Sequence, residues 1–136
     1  MRTISILSVA MLINGGVWAA AFDANAPVPV DISIVKLESG KGFAFQNSYG
    51  AAFYTYDRDR SNTSTCLDKC AEIWVPVYPS ARNPADIGTT WKLVNRPDGT
   101  QQWAYNGRPL YTFGYAENAP SPTAKDTADH WHKLEP

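Results

Sequence analysis

The sequence predicts a mainly β protein that consists of two related antiparallel units and one short α-helix. Short runs of alternating β-branched and aromatic residues recur, and each run ends at a turn signal. The segment Gly50 to Tyr56 resembles Gly107 to Phe113 at an offset of 57 in residue number, and the same offset carries Trp74 onto Trp131. One segment, around the two cysteines, has helical spacing instead. These observations predict the fold class.

The first unit is predicted to contain three strands, at residues 31–36, 43–45 and 52–57. Residues 31–36 alternate and are rich in β-branched side chains, which is typical of a strand. The link Asn47-Ser48-Tyr49-Gly50 is short, polar and closed by glycine, so it predicts a hairpin turn.

The predicted helix covers Cys66 to Trp74. Thr65 precedes it and is expected to cap its first turn, and Leu67 and Ala71 lie on the side of Trp74. Pro76 is expected to end the helix.

The second unit is predicted to contain four strands, at residues 91–94, 101–105, 109–113 and 130–134. Arg96-Pro97-Asp98-Gly99 is a strong turn signal, and Asn106-Gly107 is the best two-residue hairpin signal in the chain. Residues 78–88 and 117–128 contain prolines and polar residues, so both are predicted to be loops.

The aromatic residues follow the predicted strands in pairs. Residues i and i+2 of a strand share a face, and this places three pairs together: Tyr54 with Tyr56, Trp103 with Tyr105, and Tyr111 with Phe113. A small domain gains much buried area from such side chains, so we interpret them mainly as core. An aromatic groove that stacks on a sugar or another flat ligand is the alternative.

The segment 1–21 has the order of a secretory signal peptide. A positive start, Met1-Arg2, is followed by an apolar stretch and then by Ala19-Ala20-Ala21. We therefore predict a signal peptide at 1–21, a tether at 22–30 and a single domain at 31–136, with pseudo-repeats at about 31–78 and 88–136. The alternative is an uncleaved membrane anchor, and the apolar stretch is only about half the ~20 residues that cross a bilayer. We expect a periplasmic or secreted protein without a transmembrane segment.

The charge balance argues against a nucleic-acid partner. The chain has 12 basic and 13 acidic residues. Removal of the leader takes away Arg2 and no acidic residue, so the exported chain is more acidic still. No basic stripe remains, and an unknown component of the cell envelope is the expected partner.

Cys66 and Cys70 are expected to pair, because an exported chain enters an oxidising compartment. Residues four apart on a regular helix are too distant for a disulfide, so a bridge needs a distorted or terminal turn. The alternatives are a redox-active pair, or a copper or zinc site completed by His130 and His132, which alternate on one strand face.

Two weaker patterns involve carboxylates. Asp57, Asp59, Ser61 and Asp68 match some positions of a calcium loop, but a glycine and the final glutamate are missing. Asp57 and Asp59 could also act as a pair in a hydrolase. The sequence contains no nucleophile elbow, zinc-protease motif or phosphate loop, so it favours a protein that is not an enzyme, without settling the point.

The same residues together resemble a bacterial family of exported repeats, predicted lipoproteins with a Tyr-x-aromatic-x-x-Asp motif. The resemblance covers roughly Ile32 to Pro136. The residues that carry it are Tyr54, Tyr56, Asp59, the Cys66/Cys70 helix, Trp74, Trp103, Tyr105, Gly107, Pro109, Leu110, Tyr111 and Trp131.

What the resemblance implies is a periplasmic or cell-surface protein whose biochemical role is not established. Many members look lipid-anchored, and this chain lacks the cysteine that such an anchor needs. The second unit also departs from the pattern, because Ala116, Thr123 and Thr127 stand where the first unit has Asp59, Cys66 and Cys70.

The sequence therefore favours a non-catalytic exported binding or scaffold protein of the cell envelope, with an unknown ligand and no cofactor. The alternative is a copper, zinc or thiol redox protein that uses Cys66, Cys70, His130 and His132.

Overall fold

A computed structural model describes residues 22–82, 85–115, 121–128 and 130–136. The predicted signal peptide, 1–21, lies outside the described residues. Nine strands and two short helices occur in the described part of the chain. In chain order they are β1 Ile32–Lys36, β2 Phe43–Asn47, β3 Tyr54–Tyr56, α1 Lys69–Ile73, β4 Trp74–Pro76, β5 Trp91–Asn95, β6 Gln101–Tyr105, β7 Arg108–Pro109, β8 Tyr111–Phe113, α2 Ala124–Thr127 and β9 Trp131–Lys133.

The strands form three antiparallel sheets in the described residues. Two are a hairpin of β1 with β2 and a sheet in the order β5-β6-β7, and the third has four strands in the order β4-β8-β3-β9. This confirms the predicted class, a mainly β antiparallel fold. Its central sheet takes two strands from each half of the sequence.

The predicted turns form as expected. The N–H of Gly50 donates to the carbonyl of Asn47 at 3.0 Å, and the N–H of Gly99 donates to that of Arg96 at 3.0 Å. Asn106 and Gly107 both have positive φ, 48° and 82°. Positive φ at two successive residues is the backbone of a type I′ hairpin turn.

Two boundaries around the first helix were predicted wrongly. The helix begins at Lys69 rather than Cys66, because Thr65 does not cap it: its N–H and hydroxyl both donate to Asp59 Oδ1, at 2.7 Å each. Pro76 does not end the helix either. The helix stops at Ile73, and Pro76 is the last residue of strand β4.

The predicted loop 117–128 contains a helix, α2, which was missed. Thr123 and Asp126 form a reciprocal capping box, in which each side chain accepts from the backbone N–H of the other. The predicted strand 109–113 is also divided at Leu110 into β7 and β8.

The tether predicted at 22–30 packs on the domain. The ring of Phe22 lies 5.1 Å from that of Phe43 and 5.8 Å from that of Phe45. Val28 also packs against the core. This segment therefore belongs to the folded body, although residues 22–30 contain no helix or strand.

The core consists of two clusters. One lies among the hairpins and contains Ile32, Phe45, Phe53, Trp91, Trp103, Leu110 and Leu134. The other lies against the four-stranded sheet and contains Tyr54, Cys66, Trp74, Tyr111 and Trp131. One member of each predicted aromatic pair is buried in a cluster, and the other is partly buried against the same cluster.

Residues that correspond at the offset of 57 meet in the central sheet. Tyr54 pairs directly with Tyr111 across β3 and β8. Tyr56 pairs with Trp131, and Trp74 pairs with Phe113, which is the same contact with the two halves exchanged. A two-fold relation between two units produces reciprocal contacts of this kind. We call residues at this offset counterparts; a common repeat behind them stays a prediction.

Candidate functional site

Asp59, the acid of the signature motif, holds a loop in place. Its Oδ1 accepts both hydrogen bonds from Thr65, and its Oδ2 accepts one from the Tyr111 hydroxyl at 2.7 Å. The motif acid therefore joins the loop after β3 to strand β8 of the other half. These contacts occupy both carboxylate oxygens.

A chain of hydrogen bonds continues from Tyr111 into the core. The hydroxyls of Tyr111 and Ser64 are 2.6 Å apart, and Arg96 Nη1 donates to Ser64 Oγ at 2.7 Å. Because the single hydroxyl hydrogen of Tyr111 goes to Asp59, Ser64 must be the donor to Tyr111. All donors then point one way, from the guanidinium of Arg96 to the carboxylate of Asp59.

Arg96 is a buried cation, only 4% exposed. Its other hydrogen bonds go to Gln102 Oε1 at 2.9 Å and, through Nη2, to the carbonyl of Cys66 at 2.9 Å. Its Nε is buried with no partner among the described residues. A buried charge needs compensation, and the directed chain to Asp59 provides it.

Burial raises the pKa of Tyr111, and the neighbouring Asp59 carboxylate raises it further. The hydroxyl therefore keeps its hydrogen and remains a donor. Asp59 and Tyr111 are used within the fold, so the hydrolase hypothesis for the two carboxylates gains no support from Asp59.

The tryptophans of the motif stack on each other. The ring centroids of Trp74 and Trp131 are 4.1 Å apart with 8° between the ring planes, and Tyr56 stacks on Trp131 at 4.4 Å. Trp74 and Trp131 are 4% and 9% exposed. The rings of Trp74 and Trp131 therefore fill the join between the halves.

Cys66 and Cys70 form a disulfide, with Cα atoms 5.2 Å apart. The predicted pairing is confirmed, and so is the expected distorted turn: Cys66 precedes the helix, and Asp68 between them has a φ of 52°. Asp68 makes no side-chain cap bond to α1, whereas α2 has a capping box and no disulfide. The disulfide therefore holds α1 where a cap holds α2.

His130 and His132 lie together against strand β3, at Asp57. His130 Nδ1 is 3.1 Å from Asp57 Oδ1, and His132 Nε2 is 3.5 Å from Asp57 Oδ2. Arg58 Nη2 is 3.1 Å from His130 Nε2. Because arginine can only donate, His130 accepts at Nε2 and donates from Nδ1 to Asp57.

The four residues of the predicted metal site have two separate roles in the structure. The sulfurs of Cys66 and Cys70 are joined to each other, and both histidines contact Asp57. Among the described residues, no three His, Cys, Asp or Glu side chains are grouped so as to hold a metal ion.

Beside this cluster lies a cleft of about 410 Å³. We call it the polar cleft and define it by Tyr56, Asp57, Arg60, Gly107, Arg108 and His132. Its wall joins the halves, because the N–H of Asn62, in the turn after Arg60, donates to the carbonyl of Gly107 at 2.7 Å. A cleft of this volume suits a small ligand.

A larger cleft of about 510 Å³ lies under residues 22–28, against Phe45 and Trp91. Most of its wall is the hydrophobic core cluster and the segment packed on it. Polar residues line it as well, among them Asp23 and Glu135, and Arg108 borders both clefts. We place the candidate site at the polar cleft because Asp57 and His132, whose counterparts are small or apolar, line that cleft.

The counterparts of the polar residues have different side chains on a similar backbone. Asp57 N–H donates to the His130 carbonyl at 2.9 Å, and its counterpart Gly114 donates to the Ile73 carbonyl at the same distance. The backbone is thus the same at both places. The side chains differ, because Asp57, Arg108, His130 and His132 have the counterparts Gly114, Ala51, Ile73 and Val75.

Sequence reasoning named Asp57, His130 and His132 but missed Arg60, Arg108, Ser64 and Arg96. Arg108 stands inside the quoted motif, so comparison with Ala51 in the other unit could have singled it out. Arg96 carried no such signal, because its partners come from distant segments of the chain.

A mainly β protein with an aromatic join, a structural disulfide and a polar cleft is the class that this fold and site define. Residues 92–134 match the model of a family described as a secreted repeat of unknown function. The match runs from β5 to just beyond β9, so it covers one of the two halves, and it confirms the family resemblance. No curated protein and no solved structure matches this chain.

The family description is consistent with the expected export. The matching repeat is described as secreted. In the described part of the chain, no helix has both the length and the apolar character that crossing a membrane requires.

Proposed function

We propose that this protein is an exported, non-catalytic module of the bacterial cell envelope, in the periplasm or outside the cell, that binds a small ligand in the polar cleft. The observation that carries the proposal is the difference between counterparts. The polar cleft and its surroundings carry Asp57, Arg108, His130 and His132 at positions whose counterparts are small or apolar. Side chains that the fold does not require are candidates for binding.

The proposal of a non-catalytic role rests on how the motif residues are used. Asp59 accepts hydrogen bonds from Thr65 and Tyr111. Trp74 and Trp131 are stacked and buried. These residues of the family motif therefore make contacts that hold the fold, which supports a non-catalytic role.

The metal or redox alternative predicts free thiols and about one bound copper or zinc. It stays a prediction, and the disulfide supports the binding module over the metal form. Intact mass and elemental analysis of protein purified from the periplasm test that metal form. A mass two daltons below that of the reduced chain, with no metal, is the result that the binding module predicts.

The experiment that tests the proposal is an NMR screen of the ¹⁵N-labelled protein with a library of anionic, neutral and cationic small molecules. We expect saturable shifts of the amide resonances of Arg60, Gly107, Arg108 and His132. The matched variant carries Arg108→Ala and His132→Val, the residues of the counterpart positions. Binding that persists in this variant, or turnover of a ligand that is lost in Asp59→Ala, would contradict the proposal.

A further inference from the structure

We propose that the ligand of the polar cleft carries an oxyanion, a phosphate or carboxylate group, that Arg60 and Arg108 bind. This inference rests on the proposed function. It goes further, because it assigns the chemical class of the ligand and the two side chains that recognise it.

The side chains of both arginines are free to contact a ligand. Arg60 and Arg108 are exposed and line the same cleft. Neither side chain has a hydrogen bond or an ion pair to any residue that the structure describes. By contrast, Arg58 contacts His130, and Arg96 is enclosed in the core with its own acceptors.

Among the described residues, the nearby carboxylates form no ion pair with these arginines. Asp59 lines the cleft, but its oxygens accept from Thr65 and Tyr111. Asp57 lines it too, and its oxygens face His130 and His132. The donors of both guanidinium groups are therefore unused within the described structure, and their fixed fork matches the oxygens of a phosphate or carboxylate.

The positions that correspond to the two arginines in the other half carry no arginine. The counterpart of Arg108 is Ala51, and the residue at the same offset from Arg60 is Glu117, which lies outside the described residues. The counterparts of the two arginines are thus a small residue and an acid, whereas the scaffold aromatics recur in both halves.

The surroundings add uncharged polar groups. Ser61 and Asn106 line the cleft beside the arginines. Gly107 approaches Ser61 so closely that a Cβ atom at Gly107 would lie 2.8 Å from Ser61 Oγ. The glycine therefore permits this close approach, and the hydrogen bond from the N–H of Asn62 to the carbonyl of Gly107 joins the segments that carry the two arginines.

The test uses the full exported chain and three probes, inorganic phosphate, acetate and glucose, in NMR titrations at fixed ionic strength. We expect phosphate or acetate to shift the amides of Arg60, Ser61 and Gly107 saturably, and glucose to leave them unchanged. Arg60→Ala and Arg108→Ala should each weaken binding by about tenfold or more, since each removes charge-assisted hydrogen bonds. Arg82→Ala, which removes an exposed arginine outside the cleft, is the matched control and should bind as the native chain does.

The outcomes separate this inference from the proposed function. Saturable binding of phosphate but not acetate, or the reverse, identifies the oxyanion. Binding only of neutral or cationic library members at these amides would overturn the oxyanion while leaving a ligand site in the cleft. Equal shifts in the Arg60→Ala/Arg108→Ala double variant would also overturn it. No binding at the cleft by any probe or library member would overturn both.

Discussion

Trp74 and Trp131 are counterparts in the two halves of the chain, and they stack face to face with ring centroids 4.1 Å apart. Each one begins an outer strand of the central sheet, and each also packs on an aromatic residue of the neighbouring inner strand. Tyr56 contacts Trp131, and Phe113 contacts Trp74. The join between the halves therefore depends on these two rings.

Replacement of Trp131 by alanine is expected to destabilise the protein by about 3–5 kcal/mol, because a buried ring with three aromatic neighbours is lost. Trp131→Phe, which keeps a ring in the stack, should cost less. Urea unfolding measures both. Tyr115→Ala removes a ring that is 72% exposed and should change the free energy of unfolding little. Equal effects of Trp131→Ala and Tyr115→Ala would contradict this role.

Asp59 and Tyr111 are expected to be energetically coupled. A double-mutant cycle with Asp59→Ala and Tyr111→Phe should give a coupling free energy of about 1.5–3 kcal/mol, the range of a hydrogen bond to a charged group. The same cycle with Tyr105→Phe in place of Tyr111→Phe is the control, since both oxygens of Asp59 bond to Thr65 and Tyr111 instead. Additive effects of Asp59→Ala and Tyr111→Phe on the free energy of unfolding would contradict this coupling.

Stability is expected to fall in alkali because of Tyr111. Its pKa is raised above the ordinary value of 10.0, first by burial. The folded state therefore retains a proton that the unfolded state releases, and this contribution is fully present below pH 10.0 and is lost as the pH rises beyond it. Urea unfolding of the native chain and of Tyr111→Phe between pH 8 and 11 measures the difference. If the free energy of unfolding of the native chain falls no more steeply with pH than that of Tyr111→Phe, this assignment to Tyr111 is wrong.

Reduction of the disulfide is expected to loosen α1 and leave α2 intact. A loop this short contributes about 2 kcal/mol in the chain-entropy treatment. Hydrogen exchange in reductant should accelerate at Lys69–Ile73, where no side chain caps the helix, but not at Ala124–Thr127. Thr123→Ala is the reciprocal variant and should loosen α2 alone. Uniform loosening of both helices by either change would contradict separate roles for the cap and the disulfide.

Local signals predicted much of this fold. Asn106-Gly107 forms its hairpin, and the i, i+2 aromatic pairs share the faces that strand geometry requires. The short helix α2 was missed although Thr123 and Asp126 have capping-box spacing, because prolines before it favoured a loop.

The misplaced start of α1 has a different cause. Thr65 is a good cap by its type, but Asp59 takes both of its donors. A competing partner earlier in the loop is invisible to a rule that examines only the helix and its flanks.

The candidate site was predicted only in part. His130 and His132 were expected to share a face, and they do, but their common partner Asp57 follows β3 in the other half of the sequence. Arg96 stands in a turn signal, and nothing in Arg96-Pro97-Asp98-Gly99 indicates that its side chain enters the core. Contacts between distant segments decide both cases, and one sequence does not encode them in any local pattern.

The central claim is that the residues that hold the fold and the residues of the polar cleft are separable. The most direct measurement is an NMR titration of the Arg108→Ala/His132→Val variant beside the native chain, with the ligand found for the native chain. The account predicts that the variant keeps the native dispersion of amide resonances and loses the ligand-induced shifts. A variant that unfolds, or one that binds the ligand as the native chain does, would contradict it.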